Sequence, residues 1–403
     1  MKVLVIGGGA AGFFAALSCK HHHPDFDVTI LEKSDKLLAK VSVSGGGRCN
    51  VSHACFENSQ LAKFYPRGGR QLKKAFTQFN ANDTVHWFEA RGVKLKTEKD
   101  NRMFPVTDNS QTIIDCLTKE ADKLGVVIKR GTAISKISKK GKGFILSVGS
   151  NEIVADKIII ASGGSPKPEG FNWLKELGHQ IVSPVPSLFT FNMPTESITK
   201  LMGVVAESVS VKVKGTKLSS EGPLLITHWG MSGPAILKLS SWGARELQAM
   251  NYKFEILVNW LGNNTEQEIR AQLETELKII GKRQIGNKNP FLLPNRLWLY
   301  LLEKNEIVSE TTWNQLPKKS LNKLINTLVN DCYSAEGKTT FKEEFVTCGG
   351  ISLDDVNFET MESKKCPDMY FAGEVLNVDA VTGGFNFQAA WTTGFIAGRL
   401  SHL

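Results

Sequence analysis

What this chain lacks narrows the field first. Its seven cysteines are odd in number and no two stand in a C-x-x-C pair, so neither a disulfide framework nor a zinc site is expected and no metal ligands are assigned. A reducing cytoplasm suits such a chain. No segment approaches the roughly 20 apolar residues that a membrane helix needs, and glycine breaks the apolar run after Lys2 at once, so neither a span nor a signal peptide is expected. Acidic residues are scarce early on. Residues 1–150 carry 24 basic and 13 acidic side chains, net +11, whereas 151–403 carry 25 and 27, net −2. The excess suits an anionic ligand or simply a solvated basic surface. Between Gly262 and Lys338, 11 basic residues stand against 9 acidic ones with no visible basic stripe, which argues against a nucleic-acid surface there.

What is present starts at the first residues. Lys2-Val-Leu-Val-Ile6 reads as a buried strand that runs into Gly7-Gly-Gly-Ala-Ala-Gly12 and a helix. Gly7, Gly9 and Gly12 fit the G-x-G-x-x-G spacing of a dinucleotide cradle: one glycine for the tight turn, one for close approach of backbone to pyrophosphate, one for close packing of helix on strand. Ala10 and Ala11 open the helix, whose N-terminal N–H groups and positive dipole end face the phosphates. The strand Asp27-Val-Thr-Ile-Leu-Glu32 follows, and Glu32, 20 residues after Gly12, stands where a carboxylate meets ribose hydroxyls. No second G-x-G-x-x-G exists, which speaks against a built-in NAD(P)H domain and leaves NAD(P)H as a transient donor.

A second informative loop is Ser44-Gly45-Gly46-Gly-Arg48-Cys49-Asn50, in which consecutive glycines allow positive φ and expose N–H groups able to hold an anion or the edge of a heterocycle. Arg48 and Asn50 add donors, Lys33 and Lys40 flank the loop as cofactor-binding cations, and Cys49 reads as a packed, cofactor-adjacent thiol. His21-His-His23 closes the first helix without the spacing of a metal pair. Amphipathic patterns predict helices over 72–90 and 110–124, then antiparallel strands over 131–137 and 144–148. Backbone near Ala133 is positioned to pair with an adenine edge. The run 155–164 reads as a parallel strand ending in Ala161, Ser162 and Gly163, small enough for a cofactor to pass closely. Short β runs fill 187–261; among them Thr227-His228-Trp-Gly-Met-Ser-Gly-Pro234 offers His228 as a weak catalytic candidate, a structural histidine being the commoner reading. Helical patterns fill 265–335. Strands at 345–351 and 369–374 then lead to Gly383-Gly384-Phe385-Asn386, which opens a terminal helix. Where the dinucleotide carries a flavin, Gly373 and Glu374 meet the ribityl chain and Gly383–Asn386 meet the ring edge that gains negative charge on reduction.

With these residues laid out, the chain resembles the BaiN/YhiN-like flavoproteins that include aminoacetone oxidase and a bile-acid-intermediate reductase. The likeness covers nearly the full length and rests on the opening glycine cradle, Ser44–Asn50, Thr227–Pro234, Cys348-Gly-Gly-Ile351, Thr360–Lys364 and Phe371-Ala-Gly-Glu-Val375 through Asn386. Asn377 stands where the family usually reads Asp, and Phe385 where Tyr is frequent. The resemblance implies noncovalent FAD, held by a Rossmann-like α/β domain built from both chain ends, with a β-barrel-like domain and a small helical domain inserted. The expected segments are 1–186, 187–262, 263–337 and 338–403. The expected activity is that of a cytoplasmic FAD-dependent oxidoreductase passing a hydride between a small organic substrate and the flavin, with oxygen or NAD(P)H as second partner. Action on RNA, suggested by the basic Tyr65-Pro-Arg-Gly-Gly-Arg70, and a non-catalytic FAD-binding role are the alternatives.

Overall fold

A computed structural model describes residues 1–339 and 346–400. The chain divides into two compact units, Met1–Ser187 with Phe341–Leu403, and Leu188–Thr340. The first unit is centred on strand β1 (Lys2–Ile6), followed by helix α1 (Ala10–His22) and strand β2 (Asp27–Leu31). β1 pairs in parallel with β2 on one side (Val5 opposite Ile30) and with β3 (Lys157–Ile160) on the other (Val5 opposite Ile159). Strand β4 (Met369–Phe371) extends the sheet beyond β3, and Val127–Lys129 extends it beyond β2. The chain therefore leaves β1 toward one side and later returns on the other, so a crevice opens at the C-terminal end of β1, where ligands bind in open α/β sheets. β1 and β3 read as unbroken apolar runs because both their faces are covered.

Helix α2 (Phe385–Gly398) lies against α1, as expected of a domain built from both chain ends. Glycine makes the approach close: a Cβ on Gly394 would sit 2.7 Å from the Ala11 carbonyl oxygen, and one on Gly398 2.3 Å from that of Ala15. Spaced four apart, the two glycines share one helical face.

Several local expectations shift. The 72–90 pattern yields two helices, Gly69–Ala75 and Ala81–Glu89, because Asn80 caps the second, with its side chain accepting from Asp83 N–H and Asp83 reaching back to Asn80 N–H. The strand expected over 131–137 begins only at Lys136, after Gly131 turns with φ +60°. The run 155–164 divides between the end of an antiparallel strand, Asn151–Ala155, and the shorter β3. Of the strand expected over 345–351, Val346–Ile351 forms and pairs antiparallel with Ile181–Ser187; Phe345 lies outside the described residues.

In the second unit, seven antiparallel strands run in the order Asp331–Glu336, Lys253–Asn259, Val205–Val213, Ser219–Ile226, Gly230–Ser232, Thr190–Asn192 and Lys338–Thr339. The first and last of these are one stretch of chain interrupted by Gly337 (φ +95°), so the sheet curls back on itself as a barrel-like layer. Helices Glu266–Ile280, Asn295–Lys304 and Lys318–Asn330 pack Leu273, Trp298, Leu301 and Leu328 into the same core as the barrel's Val211, Ile256 and Val258. Among the described residues no helix is long and apolar enough to cross a membrane.

Candidate functional site

At the end of β1 the glycines divide by task. A Cβ on Gly7 (φ +113°) would lie 2.3 Å from the Ala161 carbonyl oxygen, and one on Gly12 1.9 Å from that of Gly7, so both positions exclude any side chain. On Gly9 a Cβ meets nothing within 4 Å: the backbone there faces open space. α1 begins with neither a side-chain cap nor an acid in its first turn, which leaves the N–H groups of Ala10, Ala11 and Gly12 for an anion.

Glu32, one residue past β2, accepts from Gly8 N–H at 2.8 Å through Oε2 and from the Ser34 amide and hydroxyl, at 2.9 and 2.8 Å, through Oε1. The carboxylate is thereby fixed at the crevice with acceptor capacity left on Oε2. Glu32→Ala is expected to weaken FAD binding by about 1.5–3 kcal/mol, the range for hydrogen bonds to a charged group. Titration of the apoprotein with FAD checks this; an unchanged dissociation constant contradicts the ribose assignment.

The Ser44 loop interrupts the helical stretch Ala39–Gly47: Ser44 is extended (ψ 146°), and Gly45, Gly46 and Gly47 take φ of +58°, +69° and +84°. Open space surrounds the Cβ positions of Gly46 and Gly47, whereas Phe104 closes on Gly45. Arg48 donates through one terminal nitrogen to Glu98 at 2.6 Å and to Asp108 at 3.4 Å and through Nε to the Gly45 carbonyl at 3.4 Å, with its guanidinium 4.0 Å over the Phe104 ring. Cys49 is fully buried, and burial pushes its thiol up to about 12. It is therefore expected to resist iodoacetamide at pH 8 in the folded protein while exposed Cys332 is alkylated, as read by peptide mass spectrometry.

The two chain ends are laced together here. With its amide oriented to suit its neighbours, Asn50 accepts from Gly384 N–H and donates to the Ser52 carbonyl, both at 3.0 Å. Buried Gln388 on α2 accepts from Ser52 Oγ at 2.7 Å and Thr84 Oγ1 at 2.9 Å, Trp391 Nε1 donates to the Val51 carbonyl, and Tyr65 OH donates to that of Phe385. His53 Nδ1 lies 3.1 Å from the Gly383 carbonyl and donates to it, with the imidazole against the Phe385 ring. Lys40 pairs with Glu374 at 2.5 Å; Glu374 also accepts from Thr347 N–H at 2.8 Å and lies beside Gly164, where a Cβ would collide with it. Gly373 (φ +74°) packs on Ala11, and Gly163 (φ +75°) faces open space beyond Ala161 and Ser162. Asn386 spends its amide on the backbone of Ala380, shaping the turn rather than pointing outward. Lys33 and Ala133 are exposed. His228 belongs to the other unit, exposed at the Thr227–Gly230 turn with its ring 4.4 Å from that of Trp229. Among the described residues no cluster of metal-ligating side chains occurs.

One arrangement escaped sequence reading. Asp379, wholly buried, is held by the Arg67 guanidinium and accepts from Ser187 Oγ at 2.7 Å. Burial still pushes its carboxyl above the ordinary range. A lone acid in the apolar run Val378-Asp-Ala-Val381 was the available signal, since a buried acid demands a partner. Two residues away, the Asn377 Oδ1 is buried with no partner among the described residues, so a carboxylate there would bury an unpaired charge; the neutral amide costs less.

Two helix starts, an open glycine backbone and a fixed carboxylate fit an elongated dinucleotide with a pyrophosphate, a ribose and an anionic ring edge. Comparison with known proteins agrees. The model of the HI0933-like protein Rossmann domain matches residues 1–400. The 3-dehydro-bile acid delta(4,6)-reductase of Clostridium scindens is 26% identical over 99% of this chain and 98% of its own. The ribosomal RNA dihydrouridine synthase of Escherichia coli K12 is 28% identical over 97% and 96%. A solved structure, 3-ketosteroid delta1-dehydrogenase of Sterolibacterium denitrificans, shares the fold with a TM-score of 0.51 and 12% identity over 98% of both chains. This chain belongs to the HI0933-like family of Rossmann-fold, FAD-dependent oxidoreductases.

Proposed function

We propose that this chain is a cytoplasmic FAD-dependent reductase of a carbon–carbon double bond conjugated to a carbonyl, and that the bond is the C5=C6 bond of uridine in ribosomal RNA. The observation that carries the reading is the pair of full-length relatives: the names of both describe reduction of such a bond, one in a 3-oxo steroid and one in RNA. The RNA substrate is favoured by the higher identity of the second relative and by the net charge of +9. A small conjugated ketone is the second reading, favoured by the first relative.

The overall change adds two electrons and two protons across the bond. When bound, FAD supplies the electron pair, with NAD(P)H as the donor that restores it. The chain's residues bind and orient. The N–H groups opening α1, beside Gly9, would hold the pyrophosphate, and Glu32 Oε2 would accept from ribose hydroxyls. The start of α2, braced by Asn50, His53 and Tyr65, directs its positive dipole end at the ring edge where negative charge develops. Glu374 and Lys40 would hold the ribityl hydroxyls.

Nucleoside mass spectrometry of ribosomal RNA from cells with and without the gene tests the reading. Loss of a dihydrouridine on deletion, restored by the intact chain, is expected; an unchanged dihydrouridine content overturns the RNA substrate.

A further inference from the structure

An enzyme that reduces one base of a folded RNA needs a surface that grips phosphates, and the unit Leu188–Thr340 holds a cluster of exposed basic residues. From Lys278 to Lys288 the chain holds Lys278, Lys282, Arg283 and Lys288 and no acid. All four side chains are exposed. The segment is nonetheless fixed: Ile280 and Ile285 are buried beneath it, and its backbone is bonded to the stretch 309–314. Asn314 N–H donates to the Gly281 carbonyl at 2.9 Å, Trp313 N–H to that of Arg283 at 3.2 Å, and Ile285 N–H to that of Thr311 at 2.9 Å.

Those bonds bring up the start of helix Lys318–Asn330, whose first turn holds Lys318 and Lys319, both exposed. Cations are unfavourable at a helix N-terminus, where the dipole is itself positive, and this helix has neither a side-chain cap nor an acid in its first turn to offset them. Among the described residues none of the six cations makes an ion pair, although Lys304, Lys323 and Arg270 of the same unit all do. The acids nearest in the chain, Glu274, Glu276 and Glu310, leave them unpaired. Six unpaired like charges on a fixed surface repel one another and build a positive potential suited to a polyanion.

We infer that this face docks the phosphate backbone of the RNA substrate. Exposed amides of Gln284, Asn287, Asn314 and Gln315 stand among the cations, with hydrogen-bonding groups for ribose and base edges. An anionic membrane is the competing polyanion, since Ile279 and Leu292 are also exposed. Within 278–288, however, Ile279 is the one exposed large apolar side chain against four cations, too little apolar area to insert. The inference rests on the proposed RNA substrate, and the test separates the two.

The FAD-loaded full chain and its K282A/R283A/K288A variant are titrated with transcribed ribosomal RNA over a range of salt, and in parallel with phosphatidylglycerol vesicles. The variant is expected to keep its FAD content and melting temperature and to lose about tenfold or more in RNA affinity. Its log–log salt slope should be shallower by roughly 2–3 units, about one for each phosphate no longer neutralised. Vesicle binding is expected from neither protein. An unchanged slope in a variant of a chain that does form dihydrouridine overturns the docking face and spares the substrate reading. A reduced slope in a chain that forms no dihydrouridine overturns the substrate reading and keeps an RNA-binding face. Binding to vesicles without binding to RNA overturns the inference.

Discussion

Gly9→Ala is expected to yield a folded protein that has lost its yellow colour. The residue has φ −91° and ψ −171°, which alanine adopts without strain, and the added methyl meets no protein atom within 4 Å. The space it fills is the one proposed for the pyrophosphate, so the FAD dissociation constant is expected to rise on the order of 100-fold, about 2.7 kcal/mol. Gly12→Ala makes the contrast. Its methyl would sit 1.9 Å from the Gly7 carbonyl oxygen and can enter only by driving α1 off β1, costing about 1–3 kcal/mol of stability as well as FAD affinity. Thermal melts of the two apoproteins against wild type, with FAD titrations, separate a blocked ligand from a broken packing. Retained FAD affinity in Gly9→Ala contradicts the cradle.

Arg67→Ala is expected to cost about 3–5 kcal/mol, because it removes the cation that holds the buried Asp379 carboxylate and leaves a neutral donor, Ser187 Oγ, beside it. At about 2–4 °C per kcal/mol for a unit of this size, the melting temperature should fall by about 10 °C. Its pH dependence has a definite sign. Burial already holds the folded Asp379 carboxyl above its ordinary range, and removing Arg67 raises it further. The unfolded chain then releases this proton at lower pH than the folded one, so stability is full in acid and falls as pH rises toward the folded value. The gap between variant and wild type is therefore expected to narrow on going from pH 8 to pH 5. Adding Asp379→Asn, which removes the stranded charge, should recover part of the loss; a gap that widens in acid contradicts the account.

Much of the candidate site's backbone geometry was legible because steric necessity is written in residue type. Gly7 and Gly12 admit no side chain, Gly394 and Gly398 let α2 reach α1, and Glu32 follows an alternating strand. What stayed hidden depends on distant partners. Arg67 lies in a basic run that reads as an RNA contact, yet its guanidinium turns to an aspartate 312 residues away. The carboxylates of Glu98 and Asp108 that Arg48 meets lie 50 and 60 residues along the chain and were equally invisible in sequence. The break in the 72–90 helix was written in Asn80 and Asp83 but obscured by the apolar spacing around them. A charge balance over 262 to 338 likewise carries no trace of the backbone bonds that join the stretch 281–285 to 311–314. Curling of the second sheet follows from strand order alone, which no local pattern carries.

The central claim, that FAD clasped by both chain ends serves reduction of a uridine in RNA, is tested most directly by a single turnover. Holoprotein reduced under anaerobic conditions is mixed with unmodified transcribed ribosomal RNA, and the visible flavin absorbance is followed while dihydrouridine is quantified by mass spectrometry. The account predicts that absorbance returns as dihydrouridine forms, one per flavin. Absorbance that stays bleached with RNA but returns with a 3-oxo steroid bearing a conjugated double bond would contradict it.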